Sequence, residues 1–120
     1  MLIAPKALST LTLSREELAA DKKNALLFDQ CALGKRALYV GGFGLSNVYY
    51  IPLSRVRRVF KRLAVSKGFY ESNKIFGSLC YLVILYDDNK EKVFRFHRED
   101  ELDSMLNAFR KHTAIPVGKP

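Results

Sequence analysis

The chain has no tryptophan, and its 120 residues include only two cysteines and two histidines. Cys31 and Cys80 have no spacing motif around them, which excludes the disulfide framework of a small secreted domain. Both lie in apolar runs, Leu26 to Leu33 and Leu79 to Tyr86, and read as reduced, buried hydrophobes. His97 and His112 have no cysteine or histidine at ligand spacing, so neither a metal nor a cofactor is expected. A long hydrophobic run is also missing: the longest, Leu79 to Tyr86, falls far short of the ~20 residues that span a bilayer. The first residues are broken by Pro5 and Lys6 and have no basic segment ahead of an apolar one, so no signal peptide is expected. These absences point to a soluble, cytoplasmic protein.

Acidic residues are absent from the middle third. Between Asp29 and Glu71 the sequence carries Lys35, Arg36, Arg55, Arg57, Arg58, Lys61, Arg62 and Lys67 and no carboxylate. The acids and bases before and after this stretch cancel, so the formal net charge of +8 is local to it. Charge gathered in this way attracts anionic partners and says little about fold. A length of 120 residues with 48% hydrophobic content fits one domain with a real core.

Along the chain, Ser14 three residues before Glu17 forms a capping box, which predicts a short helix from about Arg15 to Lys23 with Leu18 on its apolar side. This N-terminal extension, residues 1–24, prefaces the domain. From Ala25 the pattern changes to short apolar runs separated by turn residues: Ala25 to Leu33, Arg36 to Val40 and Val48 to Ile51, three strands of a meander. Leu53 to Val65 reads two ways. Val56, Val59, Phe60 and Leu63 have helical spacing, but β-branched residues bracket the run, and a short turn at Leu53 to Val56 followed by a bent or bulged strand is favoured. Lys67 to Gly77 is a loop or a short strand. Two further strands, Leu79 to Tyr86 and Lys92 to His97, flank the turn formers Asp87-Asp88-Asn89-Lys90 as a hairpin. Glu99, Asp100, Glu101 and Asp103 then open a helix with the stripe Leu102, Met105, Leu106 and Phe109, and Arg110, Lys111 and His112 close it, matching the macrodipole at both ends. Residues 114–120, with two prolines, are expected to trail off as a flexible tail.

The order, about seven antiparallel strands and one closing amphipathic helix over residues 25–113, resembles the pleckstrin-homology-like superfamily, including its bacterial versions and the GRAM domains. The most specific local pieces are Gly34-Lys35-Arg36-Ala37-Leu38-Tyr39-Val40 and Tyr50-Ile51-Pro52-Leu53-Ser54-Arg55-Val56, similar to a step common in bacterial members. The resemblance implies a mainly β, α+β fold: a partly open barrel of two nearly orthogonal sheets, with Leu102, Met105, Leu106 and Phe109 plugging one end. Some members bind phosphoinositides through basic residues on strand one and a long first loop. Here that loop is Gly34-Lys35 and strand one has no basic residue, which leaves only Lys35 and Arg36 for that role.

The remaining motifs have plain structural explanations. Gly41-Gly42-Phe43-Gly44 lies between two predicted strands rather than before a helix, which fits a hairpin turn needing positive φ better than a phosphate loop. Asp87, Asp88, Glu99, Asp100, Glu101 and Asp103 serve a turn and a helix start, and no nucleophile is paired with a base, so an enzyme is not expected. The basic stretch is either a solvated face or a patch for an anionic partner, with Tyr49, Tyr50, Phe69 and Tyr70 near enough to add stacking surface. A helix would gather Arg55, Arg58 and Arg62 on one face, whereas a strand would split the charges between two. The leading expectation is a non-catalytic interaction module that binds a protein partner, by strand addition at an exposed sheet edge, or self-associates as a homodimer. The alternative is an electrostatic binder of an anionic membrane surface, peripheral to the membrane, through Lys35 to Lys67. Nucleic acid ranks below the membrane because the fold resemblance gives it poor support.

Overall fold

The computed structural model describes residues 6–28, 31–41, 49–64 and 79–119. Its chain order is β1 (Lys6–Ala7), α1 (Arg15–Lys23), β2 (Leu26–Phe28), β3 (Cys31–Leu33), β4 (Ala37–Val40), β5 (Tyr49–Pro52), a 3-10 turn (Leu53–Arg55), β6 (Val56–Ala64), β7 (Leu79–Tyr86), β8 (Lys90–Phe96) and α2 (Glu99–His112). The strands form two sheets, one of five strands in the order β1-β5-β4-β3-β2 and one of three in the order β6-β7-β8. The fold is therefore mixed α+β and mostly strand. The described strands do not close into a barrel, because no strand of one sheet pairs with a strand of the other.

The core lies between the sheets. Phe28, Cys31, Leu33, Leu38, Val40 and Ile51 from the larger sheet meet Val56, Val59, Cys80, Leu82, Ile84 and Phe96 from the smaller one. Leu102, Met105, Leu106 and Phe109 of α2 close that space, as their i, i+3, i+4, i+7 spacing predicts, and α2 touches strands of both sheets. Cys31 and Cys80 are buried, free thiols within this core.

The centre of the larger sheet, β3 and β4, is buried on both faces, which alters the reading of the N-terminal segment. On the side away from α2, Leu18 of α1 packs with Ala32, Ala37, Tyr39 and Tyr50 as a second apolar cluster. All four residues of β4 are consequently buried, and they read as a continuous apolar run because neither face meets water. Ser14 caps α1 through the expected box, accepting from Glu17 N at 3.1 Å while Glu17 Oε1 accepts from Ser14 N at 3.3 Å. Ahead of α1, β1 adds to the sheet edge in parallel with β5.

Three expectations need amending. Ala25 to Leu33 is not one strand but two short antiparallel ones, β2 and β3, in which Leu26 pairs with Leu33 and Phe28 with Cys31. The sequence signal for that break is the polar pair Asp29-Gln30 inside an otherwise apolar run. Tyr50 is not a surface aromatic: it is buried, and its hydroxyl accepts from Leu13 N at 2.9 Å. The residues after α2 lie along β6 rather than trailing away, with Val117 bridging Val59 in parallel, Pro116 O accepting from Val59 N at 3.1 Å and Val59 O accepting from Gly118 N at 2.9 Å. Leu53 to Ala64 resolves as the favoured turn and strand, with a bulge between Val56 and Arg58. Gly41 has the positive φ of 78° expected of its glycine turn, while 42–48 and 65–78, including Phe69 and Tyr70, lie outside the described residues.

The β7–β8 turn is also tied to the N-terminal segment. The Ser9 hydroxyl donates to Asp87 Oδ1 at 2.7 Å, and Thr10 N donates to Oδ2 at 3.4 Å. Ser9 is the first cause of a lowered Asp87 pKa, with the Thr10 amide, Lys90 and Arg55 acting in the same direction. Because the folded carboxyl titrates below its unfolded value, this tie is fully present above the unfolded pKa and is lost as pH falls through the folded one. Ser9→Ala is expected to move the Asp87 titration, followed by NMR, upward toward that of an ordinary aspartate. An unmoved titration would mean that the hydroxyl does not hold the carboxylate in solution.

Candidate interaction surface

In the smaller sheet, strand pairing assigns every side chain to a face. Residues directly opposite one another share a face, and alternate residues along a strand change face. Val59, Ile84 and Lys92 form one inward row, Lys61, Leu82 and Phe94 the next, and Leu63, Cys80 and Phe96 the third. The outward rows are Arg58–Leu85–Glu91, Phe60–Val83–Val93 and Arg62–Tyr81–Arg95. The middle outward row is apolar, with Phe60 and Val83 buried and Val93 exposed, between two charged rows. Arg62 lies over this middle, with its guanidinium carbon 5.9 Å from the Phe60 ring centre and its NH2 3.6 Å from Glu91 Oε1.

The structure disperses the basic residues that the sequence gathers. Lys35 and Arg36 belong to the β3–β4 connection of the other sheet, beside α1, where Arg36 pairs with Glu17 at 2.8 Å. Lys61 points inward and reaches the start of α2, with its ammonium 2.8 Å from Glu99 and 2.9 Å from Asp103, two hydrogen bonds that raise its pKa. Arg57 donates to Asp87 O at 3.2 Å and faces Asp88 at 3.9 Å. Arg58 holds the residues after α2, donating to Gly118 O at 2.9 Å and Lys119 O at 3.4 Å. Arg55 is exposed on the 3-10 turn, and Lys67 lies outside the described residues. Of the candidate set, only Arg58 and Arg62 share the outer face of the sheet. Arg95 of β8 joins them there through strand register, a long-range feature that local sequence does not reveal.

The second feature of this sheet is its edge. β6 carries the bridge to Val117 on its outer side, but β8 pairs only with β7 among the described strands. β8 is seven residues long, and its first four residues are exposed, including Val93 at 38%. An edge strand of this length presents a row of main-chain donors and acceptors to any strand laid beside it. Lys90, Lys92 and Arg95 place positive charge along it, and Glu91 is its sole acid.

Among the described residues, no group of histidine, cysteine, aspartate and glutamate is placed to hold a metal ion, and no helix is long and apolar enough to cross a membrane. Comparison with family models, with curated proteins and with solved structures finds no match.

Proposed function

We propose that this chain is a non-catalytic, pleckstrin-homology-like interaction module that binds protein by strand addition at the edge of β8. The observation carrying the reading is that β8 is a seven-residue strand with a partner on one side only among the described strands. The order of a strand meander, a three-stranded sheet and a closing C-terminal helix supports the pleckstrin-homology-like part of it. The use of Arg36, Arg57, Lys61 and Arg62 in pairs with carboxylates of the same chain favours protein over an anionic membrane as the partner, because paired cations add little to a long-range field.

The test places a charge at the middle of the edge. Val93→Lys follows the way natural edge strands block pairing. The variant is expected to keep the fold, since Val93 is partly exposed, and to reduce retention of the bound protein, whether a different chain or a second copy, by roughly tenfold or more. Protein retained equally well by Val93→Lys would contradict the reading. So would salt-sensitive cosedimentation with anionic vesicles that disappears in an Arg57→Gln, Arg58→Gln, Arg62→Gln variant.

A further inference from the structure

The β8 edge is self-complementary, and we infer that its occupant is a second copy of this chain, paired antiparallel across a two-fold axis at Val93. The inference rests on the proposal that β8 is the binding edge and adds the identity and register of the partner. In an isologous antiparallel pair the same face of both sheets stays on the same side, so each residue of β8 must meet a residue of like orientation in the other copy. With Val93 opposite Val93 of the second copy, Glu91 falls opposite Arg95 of the second copy, and Arg95 opposite its Glu91. Both belong to the outward rows of the sheet. One apolar contact is then flanked on each side by an opposite-charge pair, the two pairs being related by the two-fold axis.

Charge selects this register over its neighbours. Slipping by two residues in one direction puts Lys92 against Lys92 of the second copy and Glu91 against Val93. The other slip puts Phe94 against its own copy and Arg95 against Val93, and again loses both ion pairs. Like charges directly opposite are unfavourable and opposite charges favourable, and of these three registers only the one centred on Val93 sets Glu91 and Arg95 opposite each other. Arg62 strengthens the arrangement by approaching the same Glu91 at 3.6 Å, so that a carboxylate with 46% of its side-chain surface exposed receives a guanidinium from each copy. The result is a continuous six-stranded sheet, β6-β7-β8 joined to its symmetry mate, with the exposed Val93 of each copy meeting at the junction.

The test uses the symmetry. Glu91→Arg and Arg95→Glu each create two like-charge contacts per dimer, and each is expected to weaken self-association by at least about tenfold in sedimentation equilibrium between ~1 µM and ~1 mM chain. The double variant, Glu91→Arg with Arg95→Glu, restores both pairs in reverse and is expected to recover most of the wild-type association. Because a charge reversal on the outer face could disturb the fold through Arg62, Val93→Cys supplies an independent reading: a thiol at the two-fold meets its own copy and forms an intermolecular disulfide on mild oxidation, while Cys31 and Cys80 remain buried. A wild-type chain that stays monomeric throughout this range, a double variant no stronger than the single ones, or Val93→Cys that does not crosslink would each overturn self-pairing. The edge reading fails separately, when a protein of different sequence is retained equally by wild type and Val93→Lys.

Discussion

Phe109→Ala is expected to cost about 3–5 kcal/mol of stability, the range for emptying a buried aromatic site. Phe109 is fully buried and sits in the α2 stripe where the two sheets meet, so the cavity opens at the junction of three elements rather than at a margin that could collapse. Against a total of about 5–15 kcal/mol for a domain of ordinary stability, that loss removes about a fifth of the margin at the least. With urea slopes of about 1–3 kcal/mol/M, the midpoint should fall by on the order of 2 M. Ser104→Ala, on the exposed side of the same helix, should leave it within about 0.5 kcal/mol of wild type. A loss below 1 kcal/mol for Phe109→Ala would mean that α2 is not the element closing the core.

The second large effect concerns a single carboxylate. Asp21 of α1 accepts from Lys35 N at 2.8 Å, Arg36 N at 3.0 Å, Ala37 N at 3.2 Å and the Tyr39 hydroxyl at 2.8 Å. One side chain therefore anchors the β3–β4 connection and the phenol of a fully buried tyrosine to the N-terminal helix. Burial, followed by the hydrogen bond to Asp21 and its negative charge, raises the Tyr39 pKa, so the hydroxyl stays a donor at any ordinary pH. Asp21→Ala leaves three amides without their acceptor and the phenol with only its longer bond to Leu18 O, at 3.3 Å. Water can serve the exposed amides, while the phenol exchanges a charged acceptor at 2.8 Å for a neutral carbonyl, and the expected cost is roughly 2 kcal/mol. Tyr39→Phe should cost about 1 kcal/mol, and the double variant less than the sum, because both lose the same bond. Strict additivity in urea melts would contradict the shared network. Gly34→Ala should resemble Asp21→Ala, since a Cβ on Gly34 would overlap the Asp21 carboxylate.

What was legible in the sequence follows from how local each cause is. α2 could be read completely because its acidic start, apolar stripe and basic end all lie within one segment, Glu99–His112. The β7–β8 hairpin was equally plain: Asp87 and Asn89 take the positive φ of 51° and 121° that such turn formers tolerate. The helical spacing of Val56 and Val59 has a specific origin. A bulge between Val56 and Arg58 inserts one residue, so two residues three apart both face the core, Val56 opposite Tyr86 and Val59 opposite Ile84. Phe60, which completed the helical pattern, belongs instead to the outer face.

The illegible features depend on distant partners. Nothing near Lys61 in sequence indicates that its ammonium is held by Glu99 and Asp103, 38 and 42 residues away. The basic stretch therefore looked more available than it is. The N-terminal segment read as a preface because its fastenings are likewise remote: Leu13 to the Tyr50 hydroxyl, Asp21 to β4, and Ser9 to Asp87. β8 itself is visible as a strand, but its place at the end of a sheet among the described strands and the outward alignment of Glu91, Val93 and Arg95 are properties of pairing, which a single sequence does not contain.

Amide hydrogen exchange along β6, β7 and β8, followed in the wild-type chain from dilute to concentrated solution, tests the proposed edge most directly. Slowing confined to Lys90–Phe96 as concentration rises is the predicted result, since only amides at a pairing edge gain new acceptors. Exchange in β8 that is the same at every concentration, with protection arising instead along Arg55 to Arg62 when anionic vesicles are added, would contradict it and return the basic segment to the centre of the protein's function.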